Sequence, residues 1–103
     1  MNSKRILVTG ASRGIGFELV KILSKKGHQV LAVSRNTRNL IEINDSYPSL
    51  IPFQAEITSK EDLMRIQGLI KDEWGSLDVL IHNAGTLLFK PFAETSEADF
   101  IEV

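Results

Sequence analysis

Three features that direct many protein functions are absent from this 103-residue sequence. There is no cysteine, which excludes disulfides, thiolate metal sites and a cysteine nucleophile and is compatible with a reducing cytosol. The charge has no dominant sign, because the sequence has 12 basic and 13 acidic residues. No electrostatic field of the whole molecule therefore attracts nucleic acid or an anionic membrane. No apolar run approaches the length of a membrane span, and Met1–Arg5 lead into a strand rather than a signal peptide. We therefore expect a soluble, cytoplasmic chain with neither nucleic acid nor membrane as partner.

Segments with the pattern of buried strands alternate with segments of helical pattern along the chain, with no linker or repeat between them. This alternation predicts one α/β domain in which right-handed crossovers build a parallel sheet covered by helices on both faces. Pro52 indicates that the third strand lies at an edge of the sheet. The predicted strands are 5–8, 29–34, 50–57 and 77–82. The predicted helices are one with Ile15, Leu19, Ile22 and Leu23 on its apolar face, one over 38–47, one opened by a capping box at 58–61, and one beginning at 96–99.

The most informative segment is the glycine-rich stretch Thr9–Gly16, which joins the first strand to the first helix. We expect a tight turn at Gly10, a close approach of the backbone to a pyrophosphate at Gly14, and close packing of helix on strand at Gly16. The N-terminal end of the helix presents free amides and a positive dipole to the same point, which suits an anion. A glycine-rich turn that binds nothing is the alternative.

A second motif, His82-Asn83-Ala84-Gly85, follows the fourth predicted strand. Together the two segments resemble the T-G-x-x-x-G-x-G and N-N-A-G motifs of the short-chain dehydrogenase/reductase family, and two motifs in the right order are far more specific than one. The resemblance implies a Rossmann-like sheet with strand order 3-2-1-4 and a cofactor crevice between the first and fourth strands.

The resemblance extends along the chain, yet the chain is less than half of a typical family domain. We interpret residues 1–103 as the N-terminal part of an NAD(P)-binding domain, truncated before the catalytic segment, because the sequence stops one turn into a predicted helix. On this interpretation the outer edge of the fourth strand is unpaired and apolar. Association of copies through Val79–Ile81, giving a homo-oligomer, is a hypothesis on those grounds.

The choice of dinucleotide is predicted from the end of the second strand. An acidic residue there binds the ribose 2′-hydroxyl of NAD, whereas a basic residue accommodates the 2′-phosphate of NADP. Here Ser34 and Arg35 follow the strand without a carboxylate, and Arg13 of the glycine loop is placed to reach the same region. The sequence favours NADP over NAD, with solvated surface arginines as the alternative.

The resemblance adds further contacts. It places Glu56 near the adenine amine, where the family more often has aspartate; a solvent-facing side chain is the alternative at Glu56. It also implies an adenine contact from the backbone of Ile57 and close approach of the main chain to the ribose at 83–85. His82 replaces the first asparagine of the family motif and is interpreted as a structural residue. The candidate cofactor-binding residues are Gly10, Ser12, Arg13, Gly14, Ile15, Gly16, Ser34, Arg35, Glu56, Ile57, Asn83, Ala84 and Gly85.

No residue of this chain matches the catalytic set of the family, which includes a Y-x-x-x-K pair. The only tyrosine, Tyr47, is followed four residues later by Ile51, and we predict neither a catalytic residue nor a metal site. The leading interpretation is the cofactor-binding half of an NADP-dependent oxidoreductase that transfers hydride between nicotinamide and a small carbonyl or alcohol substrate. A non-catalytic NADP-binding module and a structural remnant that binds nothing are the alternatives.

Overall fold

A computed structural model describes residues 3–83 and 87–91 of the chain. In chain order the strands are β1 (Arg5–Thr9), β2 (Gln29–Ser34), β3 (Leu50–Gln54), β4 (Val79–Asn83) and β5 (Leu87–Pro91). The helices are α1 (Gly14–Lys25), α2 (Arg38–Ile43) and α3 (Lys60–Glu73), and a short 3₁₀ turn, Asn44–Ser46, follows α2. Three sequence predictions lie outside the described residues: the helix beginning at 96–99 and the cofactor contacts of Ala84 and Gly85.

The strands form one sheet in the order β3-β2-β1-β4-β5. The first four run parallel, with Leu7 of β1 opposite Leu31 of β2 on one side and Leu80 of β4 on the other. This confirms the predicted order 3-2-1-4 and the outer position of β3. The carboxyl ends of the parallel strands share one edge of the sheet, so the segments that follow β1, β2 and β3 lie at the same edge as the end of β4.

The expectation of an unpaired fourth strand is wrong, because β5 pairs antiparallel with β4 and places Phe89 opposite Ile81. The chain between the two strands is short enough for a hairpin, whereas a parallel strand would have needed a crossover connection. The apolar run 87–89 carried the signal for this strand, but it lacks the alternation that marks a half-buried strand. The hypothesis of association through Val79–Ile81 therefore loses the exposed edge on which it rested.

Helices cover both faces of the sheet, as the continuous apolar strands predicted. Successive side chains of a strand point to opposite faces, so Ile6 and Val8 pack toward α1 and α2 while Leu7 packs toward α3. The α1 and α2 layer contributes Val20 and Leu40, both fully buried. The α3 layer contributes Leu63, Ile66, Ile70 and Trp74. The two layers therefore bury the parallel strands on both faces.

The predicted apolar face of α1 is partly wrong. Its buried residues are Gly16, Val20 and Ser24, whereas Ile15 and Ile22 are 66% and 49% exposed. Counting large apolar residues misplaced the face because small residues at the centre of the contact let the helix approach the sheet closely. Leu19 and Leu23 do pack against the core.

The start of α3 also differs from the prediction by one residue. Ser59 is the N-cap, and its hydroxyl accepts a 3.2 Å hydrogen bond from the amide of Asp62. In a capping box the Asp62 side chain would accept a hydrogen bond from the backbone amide of Ser59. Here it accepts one from the backbone amide of Glu56 instead, at 2.8 Å. Gly75 ends the helix with φ +76°, as predicted, and its amide donates to Ile70. None of the helices in the described part of the chain has the length and apolarity needed to cross a membrane.

Candidate functional site

The glycine loop lies at the carboxyl end of β1, between that strand and α1. Gly10 and Gly14 have φ values of +62° and +63°, in the region where other residues are strained. A Cβ at Gly10 would overlap the carbonyl oxygen of Asn83, and one at Gly16 would overlap the carbonyl oxygen of Gly10. A Cβ at Gly14 meets no atom within 4 Å. Gly10 and Gly16 are thus required by contacts within the protein, and Gly14 borders open space at the site expected for a pyrophosphate.

The N-terminal end of α1 leaves its first amides available. Arg13 is the N-cap residue, with extended backbone and no side-chain capping bond, and the first turn contains no acidic residue. The amides of Gly14, Ile15 and Gly16 precede the first residue that has an intrahelical acceptor. Free amides at the positive end of a helix, without a competing carboxylate, fit the phosphate groups of a dinucleotide.

Two asparagines brace the glycine loop from neighbouring elements. Asn83, at the end of β4, donates from Nδ2 to the Gly10 carbonyl at 3.2 Å, and its amide donates to Thr9 Oγ1 at 3.2 Å. Asn39 of α2 donates from Nδ2 to the carbonyl of Ser12 at 3.0 Å. Asn39 was not among the predicted site residues, because its contact joins two separate elements and no spacing in the sequence indicates it.

His82 lies beneath this loop rather than in it. Its side chain is completely buried, and Nδ1 is 2.6 Å from Thr9 Oγ1. Burial lowers the pKa of His82, because a charged imidazolium would lose its hydration there. Within the part of the chain that the structure describes, Nε2 has no hydrogen-bond partner. This environment agrees with the structural role predicted for His82.

A cleft of about 1180 Å³ opens at the carboxyl edge of the sheet, above the glycine loop. It brings together most of the residues that the sequence predicted as cofactor contacts, drawn from the ends of β1, β2, β3 and β4. Gly16 is not in the lining, because it is packed beneath the loop. The lining is Gly10, Ser12, Arg13, Gly14, Ile15, Val33, Ser34, Arg35, Asn36, Arg38, Asn39, Ala55, Glu56, Ile57, Thr58 and Asn83.

The part of the cleft next to β2 is basic. Arg13, Arg35 and Arg38 all border it, and Ser34 accepts a long 3.4 Å hydrogen bond from the amide of Asn36. Arg38, in the first turn of α2, was not among the predicted site residues, because the prediction covered only the residues directly after β2. Three arginines in the lining of one cleft provide charge and donors of the kind that a phosphate monoester needs.

Glu56 faces this basic corner. Its Oε2 is 3.7 Å from Nη1 of Arg35, and its Oε1 accepts a long 3.4 Å bond from the amide of Thr58. The adjoining Asp62 carboxylate has a lowered pKa, first because the Glu56 amide donates to it and then because Arg65 does. Ile57 lies in the cleft lining beside Glu56. Neither of the two alternatives for Glu56 included an ion pair with Arg35.

Tyr47 lies far from the cleft in the topology of the sheet. It precedes β3, at the amino end of the parallel strands, and packs with the α1 and α2 layer. Among residues 3–83 and 87–91 there is also no group of three or more His, Cys, Asp or Glu residues placed to hold a metal ion. The described part of the cleft thus combines free helix amides with arginine side chains, an arrangement that suits an anion.

The parallel sheet, the two helical layers and the glycine loop at the carboxyl edge define a Rossmann-like α/β protein. A family model described as short chain dehydrogenase matches residues 4–103. The chain belongs to the short-chain dehydrogenase family, a family of NAD(P)-binding oxidoreductases.

Individual relatives agree with this assignment but are longer. (−)-Isopiperitenone reductase of Mentha piperita is 35% identical over 91% of this chain and 34% of its own length. Carbonyl reductase (NADPH) 2 of Sus scrofa is 34% identical over 93% of this chain and 38% of its own. A solved short-chain dehydrogenase from Streptomyces avermitilis superposes with a TM-score of 0.76 at 29% identity, covering 95% of this chain and 36% of that one. The chain thus spans little more than a third of these relatives.

Proposed function

We propose that this chain is the cofactor-binding half of an NADP-dependent oxidoreductase that acts on a small carbonyl or alcohol. The observation that carries the proposal is the cleft itself, which joins a glycine loop with free helix amides to a corner bordered by three arginines. No carboxylate stands at the end of β2, where NAD-binding proteins use one. The name of the porcine relative, a carbonyl reductase that uses NADPH, supports the same choice.

Each part of the cleft has a distinct role in this proposal. The amides of residues 14–16 bind the pyrophosphate, and the open space at Gly14 allows the backbone to approach it. Ser34, Arg35 and Arg13 bind the 2′-phosphate, with Arg38 adding to the local positive charge. Glu56 and the backbone of Ile57 border the adenine. Asn83 holds the loop to β4, and we retain Ala84 and Gly85 as ribose contacts.

The cofactor supplies hydride exchange at nicotinamide C4, and this chain supplies binding and orientation. Because the chain contains no Y-x-x-x-K pair, we assign proton transfer to the substrate to residues outside these 103. The same absence favours a second candidate, a module that binds NADP without catalysing a reaction. Assaying carbonyl reduction by the polypeptide that its gene encodes distinguishes the two.

Calorimetric titration of the chain, first with NADP and then with NAD, tests the shared part of both candidates. We expect saturable one-to-one binding with a clear preference for NADP. Equal affinities would contradict the role given to the basic corner. Absence of binding by a chain whose circular dichroism shows a folded α/β protein would instead favour the third interpretation, a structural remnant.

A further inference from the structure

Two arginine–carboxylate ion pairs, Arg65–Asp62 and Arg35–Glu56, lie near each other where β2, β3 and α3 meet. They differ in the number of further contacts that hold their side chains in place. Arg65 Nη1 is 3.1 Å from Asp62 Oδ1, one turn away on α3, and its guanidinium also lies 4.7 Å from the centre of the Phe53 ring. Asp62 is held in addition by the amide of Glu56 at 2.8 Å. Each partner of this pair has a further contact that fixes it.

The pair of Arg35 and Glu56 is looser. The shortest distance between its charged groups is 3.7 Å, and the side chains are 80% and 41% exposed. Exposed pairs of this kind contribute only about 0–1 kcal/mol, because water and salt screen them. The Glu56 backbone is nevertheless fixed, since its amide donates to Asp62 and its carbonyl accepts from the amide of Ser59. The backbone of Glu56 is thus fixed, whereas the exposed side chain of Arg35 can move away from the Glu56 carboxylate.

A phosphate monoester is a stronger partner for Arg35 than this carboxylate. It carries up to two negative charges and accepts two parallel hydrogen bonds from a guanidinium, whereas the Glu56 contact is long. A 2′-phosphate that binds Arg35 through Nη1 therefore displaces the Glu56 contact, which uses the same nitrogen. The Glu56 carboxylate, which borders the same cleft, also repels the incoming phosphate.

We propose that Glu56 is a specificity-determining residue that competes with the 2′-phosphate for Arg35 and so limits the preference for NADP over NAD. The inference rests on the proposed function. Any contact of Glu56 with adenine is common to both dinucleotides and cancels in the ratio of their affinities. The ratio therefore reports only what Glu56 does to the 2′-phosphate, by competition for Arg35 and by direct repulsion.

Replacing Glu56 by glutamine tests the inference, because Glu56→Gln removes the charge and keeps the length and the acceptor for Thr58. We expect the ratio of the NAD to the NADP dissociation constant to rise about two- to fivefold, the scale of an exposed ion pair. Glu73→Gln, which makes the same change of charge at the exposed end of α3, is the matched control and leaves the ratio unchanged.

A double-mutant cycle with Arg35→Ala separates competition for Arg35 from direct repulsion of the phosphate. We expect most of the effect of Glu56→Gln on the ratio to disappear once Arg35 is absent, because only direct repulsion then remains. An effect of the same size with and without Arg35 would overturn the competition. A ratio that is unchanged or lowered by Glu56→Gln, in a protein that prefers NADP through Arg35, would overturn the inference and leave the proposed function standing. If neither the folded parent chain nor any variant binds NADP, both the inference and the proposed function are overturned.

Discussion

At the scale of single residues, the proposed preference for NADP over NAD depends most on Arg35. Its side chain is largely exposed, it borders the cleft, and its one partner among the described side chains is the weakly paired Glu56. We expect Arg35→Ala to weaken NADP binding about tenfold to a hundredfold, the range given by about 1.5–3 kcal/mol for a hydrogen bond to a charged group. NAD binding changes little, because NAD has no 2′-phosphate. Lys71→Ala, the same loss of charge in the last turn of α3, is the control for calorimetry.

An equal loss of NAD and NADP affinity in Arg35→Ala would contradict this account, since it would place Arg35 at a part that both dinucleotides share. Sequence patterns were sufficient to find Arg35, because a basic residue directly after a buried strand has a defined meaning in this fold. They were not sufficient to find Arg38 or Asn39. Those side chains reach the cleft from α2 through the packing of that helix, which the sequence does not encode as a spacing.

His82 provides a second prediction at this scale, through its buried bond to Thr9. The pKa of His82 is lower in the folded chain than in the unfolded one, so below about pH 6.5 the unfolded chain binds more protons. The stability that His82 contributes is therefore present above that pH and is lost progressively on acidification toward the lowered pKa. We expect the free energy of unfolding, measured with urea, to fall between pH 7 and pH 5.

The variant His82→Asn places an amide near the position of Nδ1, with the residue that the family motif has there, and removes the titration. We expect its stability to change less over the same pH range than that of the parent chain. His28→Asn, which alters the other histidine and leaves His82 in place, retains the parent's dependence. A parent slope that is identical in His82→Asn would refute the assignment.

At the scale of elements, the turn from β1 into α1 allows the effect of a glycine on cofactor binding to be distinguished from its effect on stability. Gly14 and Gly75 both have positive φ, and a Cβ at either meets no atom within 4 Å. Replacing either by alanine costs about 1–2 kcal/mol of stability through the left-handed backbone alone. Only Gly14→Ala adds a methyl group where the pyrophosphate is proposed to lie.

We therefore expect Gly14→Ala to weaken NADP and NAD alike, by about tenfold, the scale of one hydrogen bond to a charged group. Gly75→Ala is matched for strain and should lower the midpoint of thermal unfolding by a similar amount without changing either affinity. Equal binding losses in both variants would show that backbone strain, rather than access to the phosphate, explains the effect.

The elements themselves were largely predictable, and the exceptions have physical reasons. Continuous apolar strands predicted helices on both faces of the sheet, and Pro52 predicted the outer place of β3, because each reports burial or a missing donor directly. The strand order was predicted from the family resemblance. The face of α1 was misjudged since Gly16 and Ser24, which lie at its centre, carry no hydrophobic signal. The strand β5 was missed because its pairing with β4 is decided by the connection between them and not by its own pattern.

At the scale of the whole molecule, the two helical layers pack on both faces of the sheet, in which the carboxyl ends of four parallel strands share one edge. Ile6, Val8 and Leu7 are each buried on their own face, so β1 is fixed from both sides. The glycine loop after β1 and the last residue of β4 are then held in contact by the bond between Asn83 and Gly10. The cleft follows from this arrangement, and its charge follows from the residues after β2. The central claim is that NADP binds at this edge of the sheet.

Mapping of backbone amide shifts by nuclear magnetic resonance tests that claim most directly. A ¹⁵N-labelled chain would be titrated with NADP and, separately, with NAD. We predict that both dinucleotides shift the amides of residues 12–16 and 56–58, and that only NADP shifts those of Ser34 and Arg35 strongly. Shifts confined to other parts of the chain, or none from a spectrum that shows a folded protein, would contradict the account.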